Sequence, residues 1–443
     1  MSAFWCELAW LGGPEVEDGV LIEVADGRIR DLDSGVVPAP PGSERLDGVV
    51  IPGLANAHSH AFQRALRGRT QRASASFWTW RDQMYALASK LDPDAMLALT
   101  RATFAEMALC GVTLVGEFHY VHHDSSGVPY EDENAMSAAV MQAAHEAGVR
   151  ITLLDACYLH GGIGVEPGPL QRRFCDRDAE AWASRVTALR PTAGARVGAA
   201  IHSIRAVDPD SASIVADWAR SRTAPLHAHV SEQRAENEAC LSAYGATPAR
   251  LLAAAGALSE RFTAVHATHL SDEDVSLLGG SRAFCCLCPT TERDLADGVA
   301  PARRLSDAGA RLALGSDSNA IVEPFEEARA VELDLRLTSG RRGHYASEEL
   351  LDAATAFGYS SLGWPEGGAL KPGALADFVA VQIDSVRLAG ILRDFLLDAL
   401  VFAGAAADVR DVVVGGRYVV RDGAHVSLDV AAALSAAVAE VSR

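Results

Sequence analysis

Residues 49–60, VVIPGLANAHSH, pass from an apolar run directly into two histidines one residue apart. How that stretch is read decides the fold. On a β-strand, residues i and i+2 face the same way, so His58 and His60 at a strand end aim at one point. The run 49–55, VVIPGLA, is then the first of eight apolar segments. The others are VTLVGEFH (112–119), RITLLDACY (150–158), ARVGAAIH (195–202), APLHAHV (224–230), FTAVHATH (262–269), AFCCLCP (283–289) and ARLALGSD (310–317). Between them lie Ala/Leu-rich runs with helical patterning, such as PDAMLALTRATFAEMALCG and AMSAAVMQAAHEAG, each closing near a glycine that can cap a helix. Eight strands alternating with helices between residues 49 and 368 predict a TIM (β/α)8 barrel, an α/β fold whose active site sits at the C-terminal ends of its strands.

The flanks carry a different pattern. Residues 1–48 contain VLIEVADGRIRDLDSG and residues 369–425 contain ALADFVAVQID and VRDVVVGGRYVVRDG, short strands joined by DG and GG turns. Two β-rich flanks of one chain are expected to pair into a single small β-sandwich beside the barrel. Residues 426–443 read as a closing helix with Ser427 or Asp429 as N-cap.

The chain has 443 residues, 58 acidic against 39 basic, a formal net charge of −19 and 49% hydrophobic residues. Such an acidic chain is a poor partner for nucleic acid or an anionic membrane. The N-terminus, MSAFWCELAWLGG, lacks the basic segment of a secretory leader, and a cytoplasmic location is expected. The eight cysteines form no disulfide-like framework, and Cys285, Cys286 and Cys288 read as core thiols in a buried strand rather than as a metal site. Lys90 and Lys371 are the only lysines, against 37 arginines.

The HxH pair gains weight because polar residues recur at other strand ends: His202, His227, His229, His266 and Asp317. Imidazoles and a carboxylate converging on one rim are the donors of a catalytic zinc-type site. Left in a core without a ligand, they would lose hydration for no return.

With these residues in place, the sequence resembles the amidohydrolase superfamily, metal-dependent hydrolases with a TIM barrel and a flanking β-sandwich. The phrases NAHSHAFQRAL, SFWTWRDQMY, EFHYVHHD, QRRF, HSIRAV, HAHVSEQ, VHATH and GSDS, in this order, are similar within it to the formimidoylglutamate deiminases. The resemblance implies hydrolysis of N-formimino-L-glutamate to N-formyl-L-glutamate and ammonia, a step of histidine degradation. It implies His58, His60, His229 and Asp317 as ligands of one divalent metal, zinc in the first instance, with iron or nickel also suited to such a site. Glu232, His266, Asp317 and His202 follow as acid/base or polarising groups. Gln63, Arg81, Tyr120, His202 and Arg205 follow as substrate-holding residues, and a homodimer as the assembly. A carbamylated lysine that bridges two metals in some relatives has no counterpart on strand 4, since neither lysine falls there.

His227 and His229 share a face, and His229 lies nearer the strand end. His227 then reads as a core histidine. Glu232 also has a plain reading, an acid at a helix N-terminus. Two arginine forks suit a dicarboxylate, because a guanidinium binds carboxylate at two points. Arg64, Arg67 and Arg69 read as a solvated basic face on a helix after strand 1. In the strand 7 loop, PTTERDLADG, the family more usually has a small or apolar residue and Asn or Asp after the Glu, and Arg293 departs from that pattern. The competing expectations are a deaminase of an aminated purine, pyrimidine or triazine ring, which calls for an apolar aromatic pocket, and an inactive scaffold, which calls for missing ligands.

Overall fold

The computed structural model describes residues 2–71 and 77–442. Met1, Ser76 at the head of SFWTWRDQMY and Arg443 in the tail lie outside the described residues. Eight parallel strands lie side by side in chain order: Leu54–Ser59, Val112–His119, Arg150–Cys157, Ala195–Ile201, Leu226–Val230, Phe262–His266, Phe284–Leu287 and Arg311–Leu314. Every one of the eight apolar segments supplies a strand, and helices cover the outside, as in a TIM barrel. The helix Pro93–Leu109 starts at Asp92, whose carboxylate accepts from Ala95 N, and the helix Ala135–Ala147 ends on Gly148 at φ +76°.

The first segment divides where a single strand was expected. Val49–Pro52 belongs to the flanking sheet, in the strand Glu44–Pro52, and only Leu54 and Ala55 of VVIPGLA enter the barrel. Val49 and Val50 pair with Leu8 and Ala9 on one side, and Val49–Pro52 pairs with Phe378–Val381 on the other. The chain changes sheets at Gly53, where a Cβ would stand 2.1 Å from Thr113 Oγ1. The boundary expected after residue 48 thus falls four residues later.

The flanking sheet joins both ends of the chain: Glu44–Pro52 lies between Ser2–Ala9 and Phe378–Val381. Period-two alternation explains its two faces. Phe4, Cys6, Val50, Phe378, Ala380 and Val413 enclose a small core of their own, while Val49, Ile51, Val379, Val381 and Val412 join the barrel core. The segment between its C-terminal strands leaves the sheet as a helix, Leu396–Phe402, packed on the barrel helix Pro324–Ser339. The closing helix is Val430–Ser442, and of its two candidate caps Asp429 serves, accepting from Ala432 N at 3.0 Å. Among the described residues no helix is long and apolar enough to cross a membrane.

Candidate active site

The seam that closes the barrel, between the first and eighth strands, is also where the candidate ligands meet. His58 O accepts from Ser316 N and Asp317 N at 3.1 and 3.0 Å, and Asp317 O accepts from His60 N at 2.9 Å. Asn56 Oδ1 accepts from Ser316 N, and Asn319 Nδ2 donates to His60 O at 3.0 Å. Closure therefore fixes His58, His60 and Asp317 against one another. Left-handed backbone at Ser231, His266, Ala267, Asp317 and Asn319 clusters at the same rim, at φ values of 44–67°. Non-glycine residues are held there only where their surroundings over-determine them.

The side chains converge as the sequence pattern requires. His58 Nε2 and His60 Nε2 each lie 3.3 Å from Asp317 Oδ1, and His229 Nε2 lies 3.2 Å from His58 Nε2. His60 Nδ1–H donates to Phe118 O and His229 Nδ1–H to His202 O, both at 2.8 Å. These bonds place the proton on Nδ1 and leave the Nε2 lone pairs facing inward. Donor atoms of His58, His229, His266 and Asp317 all lie within 4.8 Å of one another. Burial pulls His58 down to about 3 and holds His229 well below its usual range, so both rings are neutral. Burial would raise Asp317, but the hydrogen bond from His58, with His266 and His60 close by, holds it below the ordinary carboxylate range. A buried set of acceptors turned toward one another fits a divalent cation.

His227 sits two residues deeper on the barrel floor, its Nε2 on Ser361 O at 3.1 Å, away from the cluster. Lys90 and Lys371 are exposed, so neither reaches the site. Glu232 turns inward rather than standing at the helix end. Its Oε2 accepts from Arg205 Nη2 at 3.0 Å, and its Oε1 lies 3.9 Å from His266 Nε2. Burial lowers His266, but Glu232, the hydrogen-bonded Glu292 and Asp317 outweigh it and lift the ring to about 10. Arg205 is itself held between Glu232 and Glu236, 3.8 Å from Glu236 Oε1.

His60, His229, Glu232 and Asp317 line one cavity together with Gln63, Arg81, Tyr120, His202 and Arg205. Gln63 Nε2 donates to Tyr120 Oη at 2.9 Å, and the His202 ring packs 4.5 Å from that of Tyr158. An adjoining cavity shares Arg81, Tyr158, His202 and Arg205, so both arginines stand where inner and outer cavities meet. Every candidate site residue is thus at one place.

Sequence reasoning missed Tyr158, Tyr85, Trp80 and Met84 on the cavity wall, and Glu292 behind His266. Nothing in their local pattern separates them from core residues. The three arginines after the first strand depart from the expected basic face. The turn there is a short 3₁₀ segment, Ala61–Leu66, and Arg64 and Arg67 both pair with Glu106, at 2.6 and 2.7 Å, while Arg69 bonds Ser442. Arg293 points away from the site to Glu326 and Asp334, so its substitution leaves the cavity untouched.

Residues 49–419 match the model of the amidohydrolase family. The chain belongs to that family. It is 38% identical to a formimidoylglutamate deiminase of Pseudomonas aeruginosa, over 96% of each chain. It is 29% identical to a 5-methylthioadenosine/S-adenosylhomocysteine deaminase of Natronomonas pharaonis, over 95% of this chain and 94% of that one. A crystal structure of an amidohydrolase from Brucella melitensis superposes with a TM-score of 0.93 at 36% identity, covering both chains completely. Family membership and barrel agree with the resemblance read from the strand-end histidines.

Proposed function

We propose that this amidohydrolase hydrolyses the formimino group of N-formimino-L-glutamate, releasing ammonia and N-formyl-L-glutamate. The observation that carries the reading is the placement of two guanidinium groups, Arg81 and Arg205, on the same cavity as the His/Asp cluster, at its junction with the outer cavity. A dicarboxylate held at that junction directs its amidine toward the cluster, and the 38% identity to a formimidoylglutamate deiminase supports the same substrate.

His58, His60, His229 and Asp317 would hold one divalent cation, for which their three imidazoles and one carboxylate suit zinc. When bound, the cation supplies Lewis acidity that makes water nucleophilic near neutral pH. Glu232 accepts a proton from the attacking water and delivers it to the imino nitrogen, which leaves as ammonia when the carbonyl forms. His266 Nε2 faces the oxygen that adds to carbon and stabilises its developing charge. Asp317 takes the second water proton as the carbonyl forms and passes it to the departing nitrogen, which completes ammonia. Gln63, Tyr120 and His202 orient the chain of the substrate, and burial keeps the Tyr120 phenol protonated as a donor.

The cavity wall also carries Trp80, Tyr85, Tyr120 and Tyr158, which favours a second reading, deamination of an aminated ring stacked among them. An ammonia-release assay on the purified protein separates the two. N-Formimino-L-glutamate should be turned over at least 100-fold more efficiently than aminated purines, pyrimidines or triazines, a ratio within reach of one lost carboxylate pair, about 2–5 kcal/mol. Preference for any ring would replace the first reading with the second.

A further inference from the structure

We infer that Glu292 is the positioning residue for His266, an inference that rests on the proposed use of His266 in the reaction. Glu292 lies on the short helix Pro289–Asp294 after the seventh strand and is buried. One carboxylate oxygen, Oε1, accepts from Cys288 N at 2.9 Å and lies 3.4 Å from His266 Nδ1. A carboxylate only accepts, so this contact places a proton on Nδ1 and turns Nε2 toward Glu232 Oε1 and Asp317 Oδ2, 3.9 and 4.0 Å away. His266 Nε2 is buried and has no hydrogen-bond partner among the described residues, which leaves it for the reacting atoms. The helix that carries Glu292 is pinned on both sides of it. Thr290 N donates to Glu327 at 3.1 Å, and Thr291 Oγ1 donates to Ser316 O at 3.2 Å, beside Asp317. Asp297 N closes the far end on Glu292 O at 2.9 Å. An acceptor so anchored resists rotation of the imidazole about its Cβ–Cγ bond, which His266's own backbone, at φ +67°, cannot do.

The side chains of Glu292, Cys288 and His266 also lie within 4.8 Å of one another, the spacing of a metal-binding trio. Positioning and metal binding make opposite demands on substitution. Because Cys288 N–H holds an oxygen on the His266 side, Glu292→Gln keeps the acceptor in place, whereas Glu292→Asp keeps the charge but falls short by one methylene. In the metal-loaded enzyme, Glu292→Asp and Glu292→Ala should lower kcat roughly 10–100-fold with KM within about twofold, and Glu292→Gln should retain most of kcat. Metal content should stay the same in all three. In the His266→Gln background the further loss from Glu292→Asp should vanish, because Glu292 acts through that ring.

The readout independent of turnover is the ring itself. ¹H–¹⁵N correlation spectra of histidine-labelled protein should show a proton on His266 Nδ1 in the wild type and Glu292→Gln, lost in Glu292→Asp. If Glu292→Asp outperformed Glu292→Gln, charge rather than position would be the function and the inference would fail. Loss of a second equivalent of metal from Glu292→Gln would equally overturn it and make the trio a metal site. Should N-formimino-L-glutamate not be the substrate, the same ratios on whichever amidine or ring is turned over, with the spectra, still decide the role of Glu292.

Discussion

Two buried clusters of charge lie within this barrel, and they are built on opposite rules. Behind the third strand, Asp155 and Asp176 share the guanidinium of Arg185. Arg185 Nη2 and Nη1 reach the two oxygens of Asp155 at 2.8 and 3.0 Å, and Nε and Nη2 reach those of Asp176 at 2.9 and 2.8 Å. Trp182 Nε1 and Ser137 Oγ complete Asp155 at 3.2 and 3.0 Å. Within this group every guanidinium nitrogen meets a carboxylate oxygen. At the barrel mouth His58 Nε2, His60 Nε2, His229 Nε2 and Asp317 Oδ1 crowd together at 3.2–3.3 Å, with only the His58 proton to share among them. Burial alone therefore does not mark a functional site; the imbalance of donors and acceptors does.

The contrast can be broken experimentally. Asp317→Asn should reduce turnover by about 10³-fold or more and lower metal content from near one equivalent per chain, with little change in unfolding midpoint of the metal-free protein. Two tightly bound metals, or turnover that survives the substitution, would erase the distinction. Arg185→Met should do the reverse. It strands two buried carboxylates and should cost about 3–5 kcal/mol in denaturant unfolding, while kcat per folded molecule holds.

Arg205 sharpens the comparison because it stands between the two rules, paired like Arg185 yet placed on the cavity. Arg205→Lys keeps a cation beside Glu232 but loses the fork. Its kcat/KM on N-formimino-L-glutamate should fall about tenfold or more, and on formamidine, which has no carboxylate, by distinctly less. Equal losses on both substrates would assign Arg205 to holding Glu232 alone.

The sequence by itself determined the barrel, the joined flanks and the positions of the inward histidines, because these follow from local rules. Period-two alternation fixes which side chains share a face, and strand-end placement fixes which face the mouth. The depth difference between His227 and His229 was legible for the same reason. Only the tertiary structure decided that the chain changes sheets at Gly53, since VVIP is equally apolar in either sheet and its partners lie more than 300 residues away in Phe378–Val381. It likewise decided that Arg64 and Arg67 close on Glu106, that Arg205 is held by Glu232 and Glu236, and that Glu292 stands behind His266. Each of these is a pairing between side chains distant in the chain, and no pattern along one strand or helix encodes which distant group a charge will meet.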